Sequence, residues 1–174
     1  CTPGDKNQPT SNLPLRAGKG FPYEGGIREP LIVKAPGVTK PGSTCDVPVV
    51  TMDFFPTLLN LAGAPKEAAR TACDGVDLTP LLAGTGTIAR DSLAWHYPHY
   101  WHGTLVSPYS AIRSGNWKLV HWYEKEAWEL YDLAADPGET SDLAAQQPAK
   151  LAELKVKLEA WLKETGAQAP ILKQ

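Results

Sequence analysis

The sequence predicts a mixed α/β (α+β) protein. Residues 1–85 read as the C-terminal end of an α/β domain, and 86–174 as a small α+β subdomain. Three observations carry that prediction. An apolar run at 30–37 (PLIVKAPG) is followed by a crossover and an apolar stretch with helical character. Four short aromatic-rich runs separated by turn residues then fill 93–133. Leucines at helical spacing close the chain.

Taken in order, residues 1–20 are rich in Pro, Gly, Asn, Asp and Ser and predict an irregular loop. The continuous apolar run at 30–37 suits a strand buried on both faces, as in a mostly parallel sheet, and Pro36-Gly37 closes it. After a loop, a helix is expected over 51–64. Thr51 or Asp53 is the candidate cap, Pro56 is tolerated near the start, and Gly63 ends it. Phe54, Phe55, Leu58, Leu59 and Leu61 give that helix an apolar side. One strand cannot stand alone, so this part implies neighbouring strands outside these residues. The domain boundary is expected between 80 and 90, in LLAGTGTIAR.

Beyond it, LAWHY, SPYSAIR, WKLVHWY and AWELYDL read as strands of an antiparallel meander, with tight breaks at Ser114-Gly115-Asn116 and Glu124-Lys125-Glu126. AADPGETSD is a turn cluster. A final helix over 148–164 carries Leu151, Leu154, Leu158, Trp161 and Leu162 on one side and Lys150, Glu153, Lys157 and Lys163 on the other. That helix is amphipathic, and packed across the meander it closes a two-layer subdomain.

Composition narrows the function. With 174 residues, 43% hydrophobic content and six tryptophans, the chain can fill a sizeable core. A net charge of -2 and the absence of any Lys/Arg-rich run argue against a nucleic-acid partner. No apolar run approaches the ~20 residues that cross a bilayer, so no membrane partner is expected. The chain opens CTPGDKNQPT, with neither Met nor a signal peptide, and reads as an internal piece of a longer protein. Cys1, Cys45 and Cys73 lack metal-ligand spacing; a Cys45–Cys73 disulfide and three unpaired thiols are both open.

The stretch LRAGKGFPYEGGIREP, residues 15–30, looks like backbone bent to present charge. Lys19 lies between Gly18 and Gly20, whose missing side chains let the loop bend and approach an anion. An ammonium is a compact point charge with three donors, suited to a tetrahedral anion; the competing reading is a solvated turn lysine. Tyr23, Glu24 and Arg28 read as a scaffold for the loop. Glu24 and Arg28 would pair with each other or bind backbone, and Gly25-Gly26 would permit the turn. WHYPHYWH, residues 95–102, crowds three histidines together. His96 and His99 are candidate substrate contacts, the alternative being satisfied histidines at a strand end. Pro98 breaks any metal-ligand spacing there, and no carboxylate or thiol is close in sequence. Trp95, Tyr97, Tyr100 and Trp101 suit either sugar stacking or core packing. Arg113 and Lys118 read as structural or solvated.

In series, PLRAGKGFPYEGGIREPLIVKAPG, TMDFFPTLLNLAG, DGVDLTPLL, SAIRSGNWKLV and ELYDLAADPGETSDLA resemble the C-terminal third of a type I, formylglycine-dependent sulfatase. That is an arylsulfatase-like member of the alkaline phosphatase superfamily. The resemblance implies an alkaline-phosphatase-like α/β domain and hydrolysis of sulfate esters, of a sulfated glycan or an aryl sulfate. It aligns Lys19 with the family lysine that binds a sulfate oxygen. It implies calcium and a formylglycine made within C/S-x-P-S-R, neither supplied by this chain. Cys1-Thr2-Pro3-Gly4 lacks the Ser and Arg of that motif, and Asp5 and Asn7 are set aside as calcium ligands. The implied partners are the N-terminal part of the same sulfatase and the sulfated substrate, and the implied location is periplasmic or secreted. Similar HYPHY strings in glycan-acting sulfatases favour a glycan. The alternatives are a phosphoester or phosphonate hydrolase of the same superfamily and a non-catalytic glycan-binding module.

Overall fold

The structure is a computed structural model that describes residues 11–65, 73–103 and 105–173. It divides into two compact units, one of residues 31–90 and the other of 1–30 with 91–174.

The larger unit is built on an antiparallel sheet of β1 (Ser92–Tyr97), β2 (Tyr109–Ser114), β3 (Trp117–Trp122) and β4 (Ala127–Asp132), arranged in sequence order. These are the four aromatic-rich runs of the sequence. Ser114 pairs with Trp117 across Gly115 and Asn116, and Gly115 takes φ 57° as a primed hairpin turn requires. Because side chains alternate along a strand, each face has its own core. Ile112, Leu119 and Leu130 pack against Leu154 and Leu158 of α4 (Pro148–Glu164). Pro148 opens α4, where a missing N–H costs nothing. Tyr109, Ala111, Val120, Trp122 and Tyr131 line the opposite face and pack with Tyr23. The sheet is therefore covered twice, where the sequence suggested two layers. The second cover is the loop that carries Lys19.

This grouping departs from the expected division at 85/86, which set that loop with the α/β part. Arg16, Tyr23 and Glu24 bond to Tyr131, Glu129 and Lys118, so the described residues 11–30 belong to the meander unit.

The smaller unit contains a 3-10 turn (Thr51–Asp53), α2 (Phe54–Leu61) and α3 (Thr79–Ala83). The expected strand at 30–37 is corrected. Residues 31–35 are not in a strand, and Leu31, Ile32 and Val33 are 45%, 93% and 37% exposed. A continuous apolar run becomes a buried strand only between other strands, and the described residues of this unit supply none. The apolar side of α2 is likewise exposed at Phe54, Phe55, Leu58 and Leu61. Asp53 does not cap α2 through its side chain. Its buried carboxylate instead accepts the N–H groups of Val50 (2.9 Å) and Val76 (3.0 Å) and pairs with the Arg90 guanidinium. Burial pushes the Asp53 pKa up, but the bonds from Arg90, Val50 and Val76 outweigh it and hold the carboxyl below its ordinary value.

Cys45 and Cys73 are free thiols, so no disulfide joins them. Cys1, Asp5 and Asn7 lie outside the described residues. Among the described residues no helix is long and apolar enough to cross a membrane.

Candidate active site

The loop that covers the sheet folds back on itself. Gly20 adopts φ 96°, a conformation open to glycine, and the Gly18 carbonyl accepts the Phe21 N–H at 3.1 Å. A single helical turn, α1 (Glu24–Ile27), then lies directly on the preceding backbone. A Cβ at Gly25 would run into the carbonyl oxygens of Arg16 and Ala17, and one at Gly26 into those of Phe21 and Gly18. The Gly-Gly pair is thus required by backbone contact; neither residue takes the left-handed conformation that would make the turn itself demand glycine.

Under α1 lies a buried charge cluster. Glu24 Oε1 accepts a hydrogen bond from Lys118 Nζ at 3.0 Å, and Lys118 Nζ stands 2.8 Å from Glu139 Oε1. All three residues are at most 1% exposed. The Glu24 N–H donates to Glu139 Oε2 at 2.6 Å, and Arg113 Nη1 donates to Glu24 Oε2 at 3.3 Å. Burial pushes the Glu139 carboxyl above its ordinary pKa against the opposing charge of Lys118. Arg28, the expected partner of Glu24, is a minor one: its Nη1 is 3.9 Å away and its side chain 54% exposed. A second tie is aromatic. The Arg16 guanidinium lies 3.7 Å over the Tyr23 ring and donates to the Tyr131 hydroxyl and the Glu139 carbonyl. The Tyr23 and Tyr131 hydroxyls both donate to Glu129 Oε2, at 2.8 and 2.9 Å. Burial, reinforced by the Glu129 charge, pushes both hydroxyls up in pKa and keeps them protonated donors.

Lys19 is left outside this network. It is exposed and makes no ion pair among the described residues. Its ammonium lies 5.6 Å from the centre of the Trp101 ring. The arrangement offers an uncompensated cation on an anchored loop, which can receive an anion.

His96 and His99 part company. His96 projects on the α4 side of the sheet, with Nδ1 2.7 Å from Ser110 Oγ and Nε2 2.8 Å from the Gln168 carbonyl. A carbonyl only accepts, so Nε2 carries a proton. Nδ1 shares a hydrogen bond with Ser110, whose Oγ lies 2.8 Å from the Tyr123 hydroxyl. His96 is thus engaged within the chain on the face opposite the Lys19 loop. His99 is exposed, with its ring edge-on to Tyr97 at 5.7 Å. Among the described residues no three His, Cys, Asp or Glu side chains converge as metal ligands, and Glu24 and Glu139 are committed to Lys118. A calcium ion does not fit these residues.

Sequence reasoning missed Lys118, Glu139 and Arg16 as the supports of the loop. One signal was available: in Trp117-Lys118-Leu119-Val120 the period of two sets Lys118 on the same face as Val120 and Trp122. A lysine there needs a buried carboxylate. It missed Trp101 as the neighbour of Lys19 for lack of any local pattern.

Residues 17–168 match the family described as N-sulphoglucosamine sulphohydrolase, C-terminal. The chain is 38% identical over 177 residues to a sulfatase of Formosa agariphila, covering 94% of this chain and 32% of the relative. It is 41% identical to arylsulfatase A of Homo sapiens over 142 residues, covering 80% and 26%. It is similar to the crystal structure of Ps i-CgsB in complex with k-i-k-neocarrahexaose, with TM-score 0.71, 28% identity and coverage of 87% and 32%. It is also similar to BT4656 in complex with its substrate D-glucosamine-2-N,6-O-disulfate, with TM-score 0.56, 32% identity and coverage of 70% and 25%. The chain therefore spans between a quarter and a third of the length of these relatives.

Proposed function

Because the chain belongs to the sulfatases, as part of their C-terminal region, we propose that it supplies the sulfate-binding ammonium of a sulfuric-ester hydrolase. Lys19 is that group. The carrying observation is the contrast within one loop: Glu24 is locked under it by Lys118 and Glu139, while Lys19 is left without a carboxylate partner.

Hydrolysis of a sulfate ester builds negative charge on the sulfuryl oxygens and on the departing oxygen. A positioned ammonium stabilises that charge more in the transition state than in the ground state. The cluster beneath keeps the loop from relaxing when the anion leaves. The formylglycine and calcium of the family, with the nucleophilic chemistry they supply, belong in this reading to the N-terminal part of the same protein. The exposed apolar side chains of the smaller unit, Ile32, Phe55 and Leu58 among them, support a further layer of protein there. A sulfated glycan is the favoured substrate, since two similar solved structures hold a carbohydrate or sulfated amino sugar and His99 and Trp101 stand exposed or half-buried near one another in sequence. Periplasmic or secreted placement rests on the family likeness.

The test is turnover of a sulfated sugar and an aryl sulfate by the full-length protein and its Lys19→Ala variant. A loss of about 10²–10³ in kcat with unchanged thermal unfolding is expected. Undiminished turnover would remove Lys19 from the mechanism, and turnover by the 174-residue chain alone would overturn the division of labour.

A further inference from the structure

A lysine that must meet an anion faces a conflict. Its four-carbon stem is flexible and, exposed, samples many rotamers. A carboxylate partner would hold the ammonium but cancel the charge it has to offer. The carboxylates near this loop are engaged elsewhere: Glu24 with Lys118 and Arg113, Glu129 with Tyr23 and Tyr131. What stands beside the Lys19 ammonium is the Trp101 ring, 5.6 Å from centre to nitrogen. An aromatic face within about 6 Å attracts a cation through its quadrupole and leaves the net charge intact, and indole does so best.

The segment that carries the indole is tied to the core. The Trp101 backbone N–H donates to the Val106 carbonyl at 3.0 Å, and Val106 is 2% exposed. Gly103 lies against the ring, where a Cβ would come within 3.2 Å of the indole Nε1. The adjacent Tyr100 hydroxyl accepts the Lys173 N–H at 3.0 Å and donates to Glu124 at 3.2 Å. The ring is backed by Gly103 and its backbone is bonded to Val106, whereas the Lys19 side chain is exposed.

We propose that Trp101 is a positioning residue for Lys19: its indole face holds the ammonium, charge intact, where an anionic substrate meets it. This rests on the reading of Lys19 given above.

The experiment replaces Trp101 site-specifically, in the full-length protein, by tryptophans carrying successively more ring fluorines. These keep the shape of the ring while draining negative charge from its face. kcat/KM for a sulfate ester should fall stepwise, to about two- to five-fold below wild type, and Trp101→Leu should fall as far. In a Lys19→Ala background no change at Trp101 should have any effect. A flat response to fluorination, or an equal loss from Trp101→Leu with and without Lys19, would overturn the proposal while leaving the role of Lys19 in place. If Lys19→Ala alone retained full turnover, both would fall together.

Discussion

Glu24 and Lys118, 94 positions apart in the chain, meet inside the protein, with the carboxylate Oε1 accepting a hydrogen bond from the ammonium at 3.0 Å. Their side chains are 2% and 0% exposed. Glu139 Oε1 stands 2.8 Å from the same ammonium. One buried cation thus holds two buried carboxylates.

Removing that cation leaves both carboxylates desolvated and repelling each other. Lys118→Met should therefore cost about 3–5 kcal/mol of stability, the range for breaking a buried pair by deleting one partner. Urea unfolding measures it. A loss well under 1 kcal/mol would mean that the carboxylates find other partners.

Gly26 is in contact with backbone it cannot push aside. Gly26→Ala drives a methyl group into the carbonyls of Phe21 and Gly18, an overpacking that costs about 1–3 kcal/mol. In the full-length protein it should also lower turnover, because those carbonyls belong to the bend that carries Lys19. Wild-type unfolding and wild-type turnover together would show that the bend is not under this constraint.

Asp53 makes the smaller unit sensitive to acid. Its pKa is held below the ordinary carboxylate value, so the ionised form contributes stability above the unfolded pKa, and that contribution is lost as pH falls through the folded one. Arg90→Gln deletes the principal opposing charge and leaves burial to raise the carboxyl. The acid-unfolding midpoint should then move to higher pH, with a loss of about 3–5 kcal/mol at neutral pH. Acid titrations followed by circular dichroism should separate the two proteins; coincident curves would contradict the assignment.

The two histidines should separate cleanly. His96→Ala leaves the Gln168 carbonyl and one side of the buried Ser110 hydroxyl without a partner, and should cost about 1–3 kcal/mol. His99→Ala, at an exposed position, should leave stability within about 0.5 kcal/mol. In the full-length protein His99→Ala should raise KM for a glycan sulfate. The reverse pattern of stabilities would contradict the placement of both rings.

The meander was legible because its signal is local: alternation and aromatic content mark each strand, Ser114-Gly115-Asn116 and Glu124-Lys125-Glu126 mark the breaks between them, and α4 declares itself by leucine spacing over its own 17 residues. The run at 30–37 misled for the opposite reason. Its composition describes a strand between neighbours, and an exposed Ile32 shows what such a sequence does without them. At the site, Lys19 and its glycines could be read from one short string. Lys118, Glu139 and Trp101 could not, since each reaches the loop only through the fold, from 99, 120 and 82 positions further along.

The cover over the sheet also dictates an order of assembly. Glu24 leaves the ribosome well before Lys118 and Glu139 exist. An early segment with no helix longer than one turn has nothing local to stabilise it. Its buried partners exist only once β3 and the turn that carries Glu139 have been made, so this cover cannot lock before the strands beneath it have been synthesised.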